Sequence, residues 1–291
     1  MKKFLKHSVL LLFIVLISSI FLDLFYTFIL KSSAKRNKIE YVLHTKQKVY
    51  DVIIMGTSRA NNHFVPSLFK KRGYKTFNFG MSGSHLFETN LMLKIMLQQN
   101  FKIKNLLLEA DLSVCNEKRD EGTTARFMPY LHTNSIIKDH FKFENDFLEL
   151  YYIPFYRYIK FDAKIGFREV NKSFLKKKTN LLDHNGYYPL NGTNWKRMKN
   201  NISGLKPIRN RYLDDIKKIC KENNIRLILV MTPMCKSTEG MDYFDKINKI
   251  YPEIYNFENA VTDDHYFSSC GHLNNQGAIK FTKYVLDHIS F

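Results

Sequence analysis

The sequence predicts an α/β fold, a three-layer sandwich built on a mainly parallel sheet, with one N-terminal transmembrane helix and one inserted segment. Three observations predict it. Short apolar runs alternate with segments of helical period at close spacing, the pattern of parallel strands joined by helices. That rhythm is lost between about 114 and 205, where the chain turns aromatic and basic, and it resumes afterwards. Ahead of it all, residues 7–30 are nearly all apolar.

Composition sets the outer limits. The 291 residues suit one large domain, or one domain with an insertion. Hydrophobic residues make up 45% and aromatics 14%, enough to build a core. Lys and Arg number 45 against 27 Asp and Glu, a formal charge of +18. Such a surplus favours anionic partners: acidic glycans, phospholipid headgroups or nucleic acid. No zinc-finger spacing and no RNP or helix-turn-helix signature is present, so nucleic acid is not expected.

The elements follow in order. "HSVLLLFIVLISSIFLDLFYTFIL", residues 7–30, is close to the ~20 residues that cross a hydrocarbon core. It is longer than the apolar centre of a cleaved signal peptide and ends in bulky side chains, so it reads as an uncleaved anchor. Asp23 is costly there and is expected near an interface or facing a partner helix. Lys2, Lys3 and Lys6 precede the run, and Lys31, Lys35, Arg36 and Lys38 follow it. The positive-inside rule is therefore balanced. The short N-terminal flank (1–6) favours a single pass with the soluble domain extracytoplasmic. Residues 31–48 read as a basic juxtamembrane linker lying on anionic headgroups.

The α/β domain is expected over 49–291. Its first strand is about 49–55, its second lies in "YKTFNFGMSG" and its third in "IKNLLLEADLS". Between the last two, "SHLFETNLMLKIMLQQN" is helical, with Ser84 as a candidate cap. After the insertion come the helix "IRNRYLDDIKKICKENN", the strand "IRLILVMTPM", the helix "MDYFDKINKIYP", the short strand "EIYNFENA" and a terminal helix in "HLNNQGAIKFTKYVLDHI". Cys115, Cys220, Cys235 and Cys270 permit two disulfides without demanding them. No Cys/His cluster has metal-ligand spacing, and no cofactor is expected.

Chemistry gathers at strand ends. Serine needs a base within reach and donors aimed at the oxyanion, and in a parallel sheet such groups meet at the carboxyl ends of the strands. Gly56-Thr57-Ser58 follows the first strand, Gly80-Met81-Ser82-Gly83 the second, and Glu109-Ala110-Asp111-Leu112-Ser113 the third. His272, in "CGHLNNQGA", precedes the last helix. Taken singly, Ser58 is also what a plain turn would show. His63 and His85 read as structural or surface residues.

In order, "GTSR", "NFGMSG" and "GHLNNQGAIKFT" resemble the SGNH/GDSL hydrolase superfamily, whose sheet is flavodoxin-like. With the anchor, they look most like its membrane-anchored branch, which includes proteins of teichoic-acid D-alanylation and exopolysaccharide O-acetylation. The resemblance covers about 49–113 and 208–291 and leaves the insertion out. It implies Ser58 as nucleophile, His272 as base, and the N–H groups of Ser58 and Gly83 as oxyanion donors. The family's third-block asparagine is missing; Ser113 stands there as a substitute donor. The aspartate three residues before the histidine is replaced by Ser269, leaving Asp264 or Asp263 as candidate orienting acids. Arg59 is a candidate substrate contact. The implied function is an O-acyltransferase or acyl esterase acting on cell-envelope or capsular polysaccharide. The alternative is a catalytically degenerate SGNH fold that binds glycan or scaffolds a membrane acyltransferase partner.

Overall fold

The computed structural model describes residues 1–32, 35–192 and 198–291; residues 33–34 of the expected linker and 193–197 of the expected insertion lie outside the described residues. α1 (Lys2–Ser32) and α2 (Lys38–His44) precede β1 (Val49–Met55). Two short helices, α3 (Ser58–His63) and α4 (Pro66–Lys71), lead to β2 (Thr76–Asn78), and α5 (Leu86–Gln98) leads to β3 (Lys102–Glu109). The stretch read as an insertion is made of short helices: α6 (Glu121–Thr124), α7 (Ser135–Phe141), α8 (Phe147–Tyr152), α9 (Tyr156–Lys160), α10 (Asp162–Ile165) and α11 (Phe167–Phe174). It ends at β4 (Asn200–Asn201). Then come α12 (Arg211–Glu222), β5 (Arg226–Met231), β6 (Thr238–Glu239), α13 (Asp242–Ile250) and β7 (Tyr255–Asn256). A hairpin of β8 (Phe267–Ser269) and β9 (His272–Leu273) delivers the chain to α14 (Asn275–His288).

Five strands form the central sheet in the order β2-β1-β3-β5-β7, with every neighbouring pair parallel. Alternate residues feed two cores, as strand geometry requires. Ile53, Leu106, Leu108 and Leu229 join one cluster with Leu91, Leu213, Ile216 and Phe244 of α5, α12 and α13. Val52, Ile54, Leu107 and Ile228 join the other with Ala60, Phe64, Phe69, Phe281 and Val285, from α3, the loop after it, α4 and α14. The sandwich is thus helix, sheet, helix. From β1 the chain first builds to one side and then crosses to the other. The order therefore reverses between β1 and β3, and a crevice opens at the carboxyl ends of these strands.

α1 has 31 residues, about 46 Å of helix, and is long and apolar enough to cross a membrane; a signal sequence passes the same test. Asp23 is buried, and its Oδ1 lies 2.6 Å from Nη2 of Arg157 in α9. The acid expected to be costly is therefore matched by a cation from the insertion.

The segment expected to be a linker on headgroups instead folds into the domain. Asn37 caps α2 by accepting from the N–H groups of Ile39 and Glu40, and Ile39 and Val42 enter the larger core. Tyr41 and Leu43 pack against the same core, and the burial of these apolar side chains draws α2 into the domain.

Candidate active site

The turn after β1 is built around Gly56. Its φ is +134°, and a Cβ there would sit 2.7 Å from Oε2 and 2.8 Å from the carbonyl oxygen of Glu109. Only glycine takes that conformation in that space. Thr57 then caps α3, its Oγ1 accepting from the N–H of Arg59. The Thr57 hydroxyl and N–H both donate to Glu109 Oε2, at 2.7 and 2.8 Å. Ser58 is thereby fixed as the first residue of α3, beside the crevice. As a first-turn residue it has a backbone N–H with no acceptor within the helix.

His272 opens β9, 214 residues away, and its Nε2 lies 2.8 Å from Ser58 Oγ. Three ties hold it there. The N–H of Leu273 donates to Nε2 of the buried His63 at 3.0 Å. A disulfide joins Cys270 to Cys235 in the loop after β5, with Cα atoms 5.0 Å apart. Arg59 Nη1 donates to the Gly271 carbonyl at 2.9 Å. Asn274 caps α14 by accepting from the N–H of Gly277. His63 is therefore structural, as expected.

The electrostatics favour a neutral imidazole. Burial, and secondarily the Arg59 charge, push the His272 pKa down to about 4, against a smaller pull from Asp111. Its Nδ1 faces Ser269 Oγ at 3.3 Å. A proton on Nδ1 aimed at that hydroxyl leaves Nε2 free to accept from Ser58. The expected acids are elsewhere. Asp264 Oδ1 accepts from the N–H of Lys236, and Asp263 accepts from the backbone and ring of His265. Both carboxylates are engaged away from the ring, and among the described residues none hydrogen-bonds to His272.

Arg59 does not face a substrate. It is 2% exposed and its guanidinium is fully engaged: Nε donates to Asp111 Oδ2 at 3.1 Å, and Nη2 to the Thr232 and Pro233 carbonyls at 2.6 and 3.2 Å. Asp111 also accepts from the N–H of Thr232. Paired in this way, Asp111 is held below the ordinary carboxylate range by Arg59 despite burial, while burial and Asp111 push Glu109 up.

The oxyanion donors divide. The loop carrying Gly83 hangs from the elbow, because the Met81 N–H and the Ser84 hydroxyl both bond the Gly56 carbonyl. Ser84 is thus a loop tie and not the helix cap; His85 takes that position on α5. Gly80 packs against α3, where a Cβ would fall 2.5 Å from the Asn61 nitrogen. Gly83 has an exposed, left-handed backbone, φ +89°. Ser113 lies in a 3-10 turn, buried, with its hydroxyl unpartnered. No hydrogen bond among the described residues joins it to Ser58 or His272.

Two neighbours were not anticipated. Lys38 is buried and its Nζ donates to Asn61 Oδ1 at 2.6 Å and to the Gly80 carbonyl. Burial alone pushes its pKa well down. A cavity of about 540 Å³ adjoins this loop, lined by Lys38, Asn61, Ser82, Gly83, Asp120 and Lys164 among others. In sequence Lys38 sits in "KRNKIEYVLH" and carries no mark separating it from solvated lysines. Among the described residues no group of three or more His, Cys, Asp or Glu could hold a metal ion.

No family model and no curated protein matches the chain. Among solved structures, one provisionally described as a platelet activating factor, from Streptococcus pneumonia, aligns over 97% of this chain and 98% of its own, at 12% identity and a TM-score of 0.41. Similarity at that level bears on neither activity nor substrate.

Proposed function

We propose that this protein is a membrane-anchored SGNH-type serine esterase or O-acyltransferase acting on cell-envelope or capsular polysaccharide. The observation that carries this reading is the 2.8 Å approach of His272 Nε2 to Ser58 Oγ at a strand-order reversal. In this reading Nε2 takes the Ser58 proton as Oγ attacks the acyl carbon. The N–H groups of Ser58 and Gly83 stabilise the oxyanion. The imidazolium then returns its proton to the leaving group, and an acyl-enzyme remains. Water or a sugar hydroxyl, deprotonated by His272, takes the acyl group, and the imidazolium returns that proton to the departing Ser58 Oγ.

The polysaccharide assignment is supported by the +18 formal charge and by α1. The Cys235–Cys270 disulfide supports an extracytoplasmic domain, because such bonds persist in oxidising compartments. The second reading is a catalytically silent fold that binds glycan or scaffolds a membrane acyltransferase. Ser269 in place of the orienting carboxylate favours it. Full-length protein in nanodiscs should turn over p-nitrophenyl acetate, and Ser58→Ala should abolish that turnover. Equal rates in the two proteins would remove the serine mechanism; absence of turnover in both, with retained glycan binding, would select the second reading.

A further inference from the structure

Several large apolar side chains of the insertion face outward. Leu148, Tyr152, Ile153, Ile159, Phe167 and Phe174 are each more than half exposed, Tyr152 at 69% and Phe167 at 71%. α8 packs on α9, and α10 links α9 to α11; large apolar side chains exposed together on neighbouring helices of a folded domain mark an interaction surface. Its position in the fold says what covers it.

From Asp23 onward one side of α1 is covered by α9, by the loop before it and by α11, and α8 packs on α9. Large apolar side chains of α1 are exposed from Phe4 to Leu22, about 28 Å of helix against the ~30 Å hydrocarbon thickness, and Leu24, Phe25 and Phe28 carry the exposed side one to two turns further. Asp23 is 7% exposed, and Ile29 and Leu30 beyond it are buried. The covering comes from the insertion. The Tyr26 ring meets those of Phe155 and Tyr158 edge-on at 4.9 and 5.3 Å. Thr27 Oγ1 bonds the Tyr158 hydroxyl at 2.6 Å. Asp23 Oδ2 accepts the N–H of Phe155 at 2.9 Å, and Arg157 completes the pair with Oδ1. Phe155 has φ +65°, a left-handed conformation unfavourable for a bulky residue, and its N–H donates to Asp23. α11 also packs on α1.

We infer that α8, α9 and α11 form a collar that inserts its apolar side chains into the headgroup–acyl boundary of the bilayer spanned by α1. This rests on α1 being a membrane span. The occupant is lipid because the collar continues the apolar surface of α1 at the end of its span. Its charges agree: Arg168, Lys172, Lys176, Lys177 and Lys178 lie in or just after α11, placed as in interfacial helices that bind anionic lipid. Lys164, between Ile159 and Phe167 in the chain, also lines the cavity beside Ser82 and Gly83. Lys164 lies in α10, which joins α9 to α11, so the chain between two collar helices also reaches that cavity.

The test uses full-length protein, Cys115→Ser and Cys220→Ser, in nanodiscs of phosphatidylcholine and phosphatidylglycerol. Single spin labels at Leu12, Ile153, Ile159, Phe174 or Tyr255 report depth through oxygen and nickel accessibility. Expected is Leu12 deep in the bilayer, 153, 159 and 174 at ~5–10 Å into the boundary, and 255 in water. Collar labels as water-accessible as 255, with Leu12 still deep, would overturn the collar, keep the anchor, and leave the face to a protein partner. Leu12 in water would overturn the anchor and the collar together.

Discussion

The hydroxyl of Ser269 lies 3.3 Å from Nδ1 of His272, on the side where the serine-protease arrangement places a carboxylate. In that arrangement the acid holds the tautomer and stabilises the imidazolium, and replacing it with an amide costs ~10⁴ in rate. Ser269→Asp is accordingly predicted to raise ester turnover by between about tenfold and 10⁴-fold, measured as kcat on p-nitrophenyl acetate. The pH profile gives an independent check. The base must be unprotonated, so activity is lost as pH falls through its pKa. With His272 held at about 4 instead of its ordinary 6.5, the acidic limb of kcat/KM should lie near 4. Ser269→Asp stabilises the imidazolium and should move the limb upward. At this scale Ser58, His272 and the missing acid were all legible, because strand ends and helix starts are written locally. The role of Arg59 was not: Asp111, Thr232 and Gly271, its partners, are 52, 173 and 212 residues away.

Elements that carry the site are held by contacts between loops. Arg59 links α3 to the ends of β3 and β5 and to the turn before β9, with both members of its ion pair nearly inaccessible to solvent. Breaking a buried pair from one side leaves the other charge uncompensated, so Arg59→Ala should cost about 3–5 kcal/mol, measured by denaturant unfolding. Replacing Cys235 and Cys270 by Ser opens a cross-link of separation 35, and should cost about 3–4 kcal/mol on the chain-entropy scale. Reductant should reproduce that loss in the wild type and leave the double variant unchanged. The central strands β1, β3 and β5 were legible because each carries an unbroken apolar run, Val52–Met55, Leu106–Leu108 and Leu227–Met231. The insertion was not, because its helices of four to eight residues are too short to display a period. α2 was missed for the same reason, its core contribution resting on Ile39 and Val42.

At the scale of the molecule, α1 and the insertion are one unit. Asp23 was readable as an expensive residue, but its partner Arg157 lies 134 residues on, in a stretch with no pattern to place it. Arg157→Ala is predicted to loosen α8 and α9, seen as faster backbone hydrogen exchange across them in nanodiscs, while exchange in β1 and β3 stays unchanged. The proposed chemistry rests on Ser58 and His272. Full-length protein in nanodiscs, treated with a fluorophosphonate and analysed by peptide mass spectrometry, reports directly on whether His272 activates Ser58. The predicted result is one adduct, on Ser58, forming markedly more slowly in His272→Ala. No adduct, or an adduct on another residue at an unchanged rate in that variant, would contradict it.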